Sequence, residues 1–126
     1  MVVLDSSAII AVLKNEPGSE TVVSQLANAA VSAVNLQEIA NKMLQAGAPE
    51  PIIRQAIAEL GVIVMPHDGE DAFQAAALTS LTRKFGSGLG DRSCMALAIR
   101  LGVPALTTDR AWTKLEIPGL EVRLAR

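Results

Sequence analysis

The apolar positions form short unbroken runs separated by stretches with helical spacing. Val2, Val3 and Leu4 stand in a row before Asp5, which suits a strand covered on both faces. Ser6 or Ser7 then reads as the N-cap of a helix over residues 8–13, because a hydroxyl can accept from the free N–H groups of a first turn. Asn15-Glu16-Pro17-Gly18 breaks the pattern. A second helix is expected over about 19–28, with Val22, Val23 and Leu26 on one stripe. Residues 30–34 read as a strand. Leu36, Ile39, Ala40, Met43 and Leu44 recur at helical spacing, and Gly47 supplies the stop. Pro49 and Pro51 open a helix over 52–60.

After Gly61, residues 62–65 read as a strand closed by Pro66. Asp68 or Gly69 begins an alanine-rich segment expected to stay helical to about Lys84. Gly86-Ser-Gly-Leu-Gly90 is expected to be a flexible loop. Asp91 is expected to cap a helix over 94–101 that is apolar on nearly every side and therefore buried. A strand over 103–107, a short helix over 110–115 and a last strand over 121–124 complete the chain. Strands alternate with helices through short connections, so the fold class is α/β with a mainly parallel central sheet. No internal repeat interrupts residues 1–126, which are expected to form one domain.

Composition narrows the chemistry. Half of the 126 residues are hydrophobic and 19% are charged, with a mean hydropathy of +0.34, enough apolar surface to offset the entropy of ordering the chain. The start MVVLDSS has no basic region before its apolar run, and no apolar stretch nears the ~18 residues of a membrane helix. The expected compartment is the cytoplasm, with no membrane partner. His67 and Cys94 are the only histidine and cysteine, so zinc fingers, H-E-x-x-H proteases, CxxC redox pairs and internal disulfides are excluded. Phe73, Phe85 and Trp112 are the only aromatics, too few for a base-stacking sheet. Net charge is −2, unlike a polybasic nucleic-acid binder, although cations bound at carboxylates would reverse that sign.

Carboxylates are therefore the remaining chemistry. In an open parallel sheet, ligands gather at the carboxyl ends of strands. Asp5 closes the first strand and Asp109 closes the fourth; Asp91 opens the buried helix just before it, and Glu38 lies in the first turn of the third helix, one turn after Asn35. Acids brought together repel, so either their pKa values rise or a cation is present. Oxygen ligands without histidine or thiolate select Mg²⁺ or Mn²⁺, and two such ions roughly 4 Å apart suit phosphodiester hydrolysis. Each residue also has a plain structural reading. Asp5, Asp91 and Asp109 could be helix caps, contributing about 1 kcal/mol each. A helical wheel puts Glu38 opposite Leu36, Ile39 and Met43, on a solvated face. Ser6, Ser7, Thr107 and Thr108 read as caps or as donors to the acids. Arg92, Arg110 and Lys114 could meet phosphates or only solvent. His67 reads as a loop residue, Cys94 as a small buried hydrophobe and Trp112 as a cover for the sheet edge. A phosphatase with an aspartate nucleophile would want a second acid where Ser7 stands, and a response-regulator receiver would want an acid pair at the first helix.

Four segments carry a resemblance: the stretch from Val3 to Ile10 around Asp5-Ser-Ser, Asn35-Leu-Gln-Glu38, Leu89-Gly-Asp-Arg-Ser-Cys-Met-Ala-Leu-Ala98, and Ala105-Leu-Thr-Thr-Asp-Arg-Ala-Trp112. In this order and spacing the chain resembles a PIN domain, specifically the VapC-type toxins of bacterial toxin–antitoxin modules. Asp91-Arg-Ser-Cys94 and Thr108-Asp-Arg-Ala-Trp112 are the most telling. The resemblance implies a Rossmann-like three-layer α/β/α sandwich and a metal-dependent endoribonuclease that attacks RNA phosphodiesters with metal-activated water. By that likeness Asp5 and Asp91 are Mg²⁺ ligands, Glu38 and Asp109 complete the catalytic acids, and Mn²⁺ substitutes for Mg²⁺. Ser6, Asn35 and Thr108 would steady those ligands, while Arg92 and Arg110 would grip the substrate. A homodimer is implied, inhibited by a small DNA-binding antitoxin of the VapB kind whose inhibitory segment lies in the toxin's groove. The alternative is a non-catalytic PIN scaffold that binds RNA or protein.

Overall fold

The apolar run Val2–Leu4 forms strand β1 at the centre of a five-stranded sheet in the computed structural model, which describes residues 1–126. The other strands are β2 (Ala29–Ser32), β3 (Ile63–Met65), β4 (Ala105–Thr107) and β5 (Val122–Leu124). All neighbours pair in parallel, in the order β3-β2-β1-β4-β5. Val3 lies opposite Ala30 on one side and Ala105 on the other. Side chains of a strand alternate between faces, and β1 divides accordingly: Val2 and Leu4 join Ile9, Ile10, Val31, Ile39 and Leu106 in one core, while Val3 joins Cys94, Met95, Leu97 and Trp112 in another.

Helices α1 (Ser6–Leu13), α2 (Ser19–Val23), α3 (Ala33–Gln45) and α4 (Glu50–Leu60) belong to the first face. Helix α7 (Leu89–Leu101) covers the second face, with α5 (Gly69–Ala76) packed against it and α6 (Thr79–Thr82) following α5. The expected α/β/α sandwich is thus formed. From β1 the chain proceeds outward through β2 and β3, then returns to add β4 and β5 on the other side. The strand order therefore reverses between β1 and β4, and the crevice at their carboxyl ends is where such folds bind ligands.

Several expected boundaries move. Asp5, rather than Ser6 or Ser7, is the N-cap of α1; its carboxylate accepts the Ser6 N–H. The helix expected over 19–28 ends at Val23 and resumes as a 3-10 turn, Leu26–Asn28, and the strand expected over 30–34 is Ala29–Ser32 because Ser32 caps α3 through the Val34 N–H. The long helix expected over 69–84 breaks into α5, α6 and a 3-10 turn, Arg83–Phe85. Thr82, the last residue of α6, is fully buried and returns its hydroxyl to the Leu78 carbonyl at 2.9 Å, a local side-chain bond that competes with continuing the helix beyond it. The expected glycine-rich loop is shorter than predicted: Leu89 and Gly90 are already helical, and Asp91 sits inside the first turn of α7 instead of capping it. Coverage also fails at one margin, since Ile63 and Val64 on edge strand β3 are about half exposed.

Candidate metal centre

Asp5 stands where β1 meets α1, 4% exposed. Its Oδ1 accepts the Ser6 N–H at 2.8 Å, and its Oδ2 accepts the hydroxyls of Ser7 at 2.7 Å and Thr107 at 2.8 Å. Thr107 ends β4, so the bond spans the reversal between the two strands. Of the roughly four lone-pair directions on a carboxylate, three are filled and one on Oδ1 stays open. Burial pushes the Asp5 pKa above its usual value; the three hydrogen bonds oppose the rise and the nearby charge of Glu38 adds to it.

Glu38 is exposed, as the helical wheel predicts, but its carboxylate is bonded. Ser6 donates its hydroxyl to Glu38 Oε1 at 2.6 Å, and Asn35 donates its amide to the same oxygen at 3.1 Å. The fully buried Asn35 amide also reaches Ser6 Oγ at 3.0 Å and the Gly90 carbonyl at 3.1 Å, joining α1, α3 and α7. Its Oδ1 has no partner. The expected supporting places of Ser6 and Asn35 are therefore occupied by these contacts.

Asp91 accepts the Gly88 N–H at 3.2 Å. Its pKa is raised to about 6, chiefly by burial and then by the charge of Asp5, with smaller repulsions from Glu38 and Asp109. Asp91 thus lies within electrostatic range of the other three acids. Asp109 is exposed; its Oδ1 caps the turn Arg110–Lys114 through the Ala111 N–H at 2.9 Å, and its own N–H donates to Thr107 Oγ1 at 3.1 Å. The capping reading holds for Asp109.

The residues that fix Asp5 are Ser7 and Thr107, which the sequence offers only as caps or donors. Ser7 Oγ also accepts the Thr108 N–H at 3.1 Å, so Thr108 contributes its backbone, while its hydroxyl bonds to none of the acids. Arg92 spends one guanidinium nitrogen on the Ser87 carbonyl at 2.6 Å, fastening the turn before α7. Arg110 is exposed and forms no ion pair. His67 lines a small cavity with Asp71, Ser93 and Arg100, and none of the four acids lines it. Cys94 is completely buried, and burial pushes its thiol pKa well up, as befits a packing residue. Trp112 is buried in the second core. An open cleft of about 520 Å³ leads from Glu38 and Gly90 along α3 past Val34, Ala40 and Leu44.

No three of the acids stand close enough together to hold a metal ion between them as they lie. The donor set still fits a hard divalent cation: it consists of carboxylate oxygens, Asp5 keeps an open lone pair, and Asp91 carries a repulsion that a cation would relieve. The PIN domain family model matches residues 2–118, and the chain belongs to that family. PIN-domain nucleases generally use divalent metals. Solved structures share the fold. DNA-bound VapBC from Salmonella typhimurium is 20% identical with a TM-score of 0.77, covering 99% of this chain and 98% of that one. VapBC-5 from Mycobacterium tuberculosis, of the VapBC family of toxin–antitoxin systems, is 24% identical with a TM-score of 0.59, covering 95% and 94%. VapC20 from the same organism, described as a Sarcin-Ricin loop cleaving toxin, is 16% identical with a TM-score of 0.71, covering 90% and 94%. No curated protein sequence matches the chain. No helix is long and apolar enough to cross a membrane.

Proposed function

We propose that the chain is a divalent-cation-dependent endoribonuclease and the toxin of a VapBC-like pair. The observation that carries this reading is the convergence of three elements on one place: Ser6 links Asp5 to Glu38, and Glu38 lies against Gly90 beside Asp91. Asp5 and Asp91 would hold Mg²⁺ or Mn²⁺, with Glu38 and Asp109 completing the charge directly or through water. The bound cation supplies positive charge that activates water and neutralises the phosphodiester. The protein's part is placement. Ser7 and Thr107 fix the Asp5 carboxylate, Ser6 and Asn35 hold Glu38 against α7, and the start of α7 presents Asp91 beside them. Arg110, free of ion pairs, would meet a substrate phosphate.

The VapBC neighbours support an antitoxin as partner; a homodimer in the cytoplasm is part of the same proposal. One observation is shared with a non-catalytic scaffold: the acids do not close into a cage. A single titration separates the two readings, because only a working cation site should raise the melting temperature as Mn²⁺ is added. Purified protein free of antitoxin should cut structured RNA with Mg²⁺, stop with EDTA and resume with Mn²⁺. Cleavage that persists in an Asp5→Asn, Asp91→Asn double variant would overturn the nuclease reading.

A further inference from the structure

Gly90 is a glycine without a glycine's backbone. It lies in the first turn of α7 with ordinary helical geometry, absent from the residues of positive φ. A helix bearing glycine at such a place is weaker than one bearing alanine, and Gly90 is buried besides. What fills the space of its missing Cβ is the carboxylate of Glu38: a Cβ built there falls among Glu38 Oε1, Cδ and Oε2. The Gly90 carbonyl is meanwhile held by the Asn35 amide, the same amide that holds Glu38 Oε1. Six of the nine glycines have open space where a side chain would go, and Gly90 alone meets an acid.

We propose that Gly90 is a positioning residue for the acidic site: its bare Cα lets Glu38 lie flat against α7, next to Asp91, while Asn35 sets the spacing between the two helices. This rests on the cation-binding reading above and adds the element that decides where its second-helix acid sits. The obstructing atoms belong to the end of a flexible side chain, so a methyl group at position 90 would displace Glu38 and leave the fold in place. The loss would fall on the site.

The test is a double-mutant cycle with Gly90→Ala and Glu38→Ala, read by Mn²⁺ affinity, RNA cleavage and melting temperature. Gly90→Ala should weaken Mn²⁺ binding and cleavage by about 10- to 100-fold, the usual range for a lost supporting contact. In the Glu38→Ala background the same substitution should change neither, and should raise the melting temperature by more than it does in the wild-type background, because there the helix gains alanine without losing the Ser6 and Asn35 bonds to Glu38. Wild-type Mn²⁺ affinity and cleavage in Gly90→Ala would overturn the proposal. So would an equal further loss in the Glu38→Ala background, which would mean that Gly90 serves helix packing rather than Glu38. If Gly90→Ala fails to fold, a folded double variant supports the proposal and an unfolded one refutes it. The melting-temperature arm needs no activity: a coupled Gly90–Glu38 pair in a protein that neither binds Mn²⁺ nor cuts RNA would sink the nuclease reading and leave the contact itself established.

Discussion

At Asp91, burial and three neighbouring acids act against one hydrogen bond from Gly88. The carboxyl titrates near 6 in the folded protein, against 3.8 ordinarily. It therefore binds its proton more readily folded than unfolded, so between these two values the folded state holds more protons and stability declines as pH rises. That contribution is fully present below the lower value and gone above the upper one. Without divalent cations, Asp91→Asn should melt higher than the wild type at about pH 7.5 and equal to it at about pH 4. Mn²⁺ should in turn raise the wild-type melting temperature more at the higher pH, where it replaces protons as the partner of a charged group. Thermal denaturation across pH with and without Mn²⁺ measures both. A gap between variant and wild type that ignores pH would mean that the acids do not interact. Asp5 differs although its pKa is also raised, because its oxygens already bond to Ser7, Thr107 and the Ser6 N–H.

The elements that were plain in the sequence are those whose reasons are local. Continuous apolar runs gave away β1 and β4, and the apolar circumference of residues 94–101 marked α7 as buried. Asp5 and Asp91 followed from their places at a strand end and a helix start. Other features depend on partners far along the chain. Thr107 meets Asp5 across 102 residues, and nothing local to either announces that β4 lies beside β1. The glycines before Asp91 suggest a loop, whereas Gly90 is helical and its missing side chain answers to Glu38. Alanine propensity carries one unbroken helix through residues 77–82 on paper, whereas the chain breaks at Ala77 and Leu78 before α6 begins. Gly18 shows the same dependence at the start of α2. Its φ is +95°, and a Cβ there would stand 2.8 Å from the Ala125 carbonyl oxygen, at the far end of the chain. Gly61 also has a positive φ, +70°, with open space around it. Both alanine variants should lose stability for conformational reasons, about 1 kcal/mol, and Gly18→Ala should lose more because backbone must also move. Urea midpoints of the two variants decide this; equal midpoints would show that the C-terminal segment yields freely.

For the molecule as a whole, a net charge of −2 sets a problem that the proposed reaction must solve, since RNA has to approach the acids of the site. Three arginines are taken by ion pairs, Arg54 with Glu50, Arg100 with Asp71 and Arg123 with Glu121, and Arg92 is tied to Ser87. Arg110, Lys114 and Lys42 are exposed and outside these ion pairs. The cations that serve the chemistry then also serve the approach: two divalent ions would move the net charge from −2 to about +2, concentrated where the phosphodiester must lie. Binding of this kind releases few counterions. Each phosphate neutralised by a side chain on a single strand contributes about −0.7 to the slope of log affinity against log salt. With Arg110, Lys114 and Lys42 as the exposed contacts, the slope for RNA should lie between about −0.7 and −2.1, and Arg110→Ala should make it shallower by about 0.7. The measurement is KM for RNA from initial rates at fixed Mg²⁺ over a series of monovalent salt concentrations. A slope steeper than about −3 would require a second basic surface, and a homodimer that joins the exposed basic residues of two copies would then be the place to look for it.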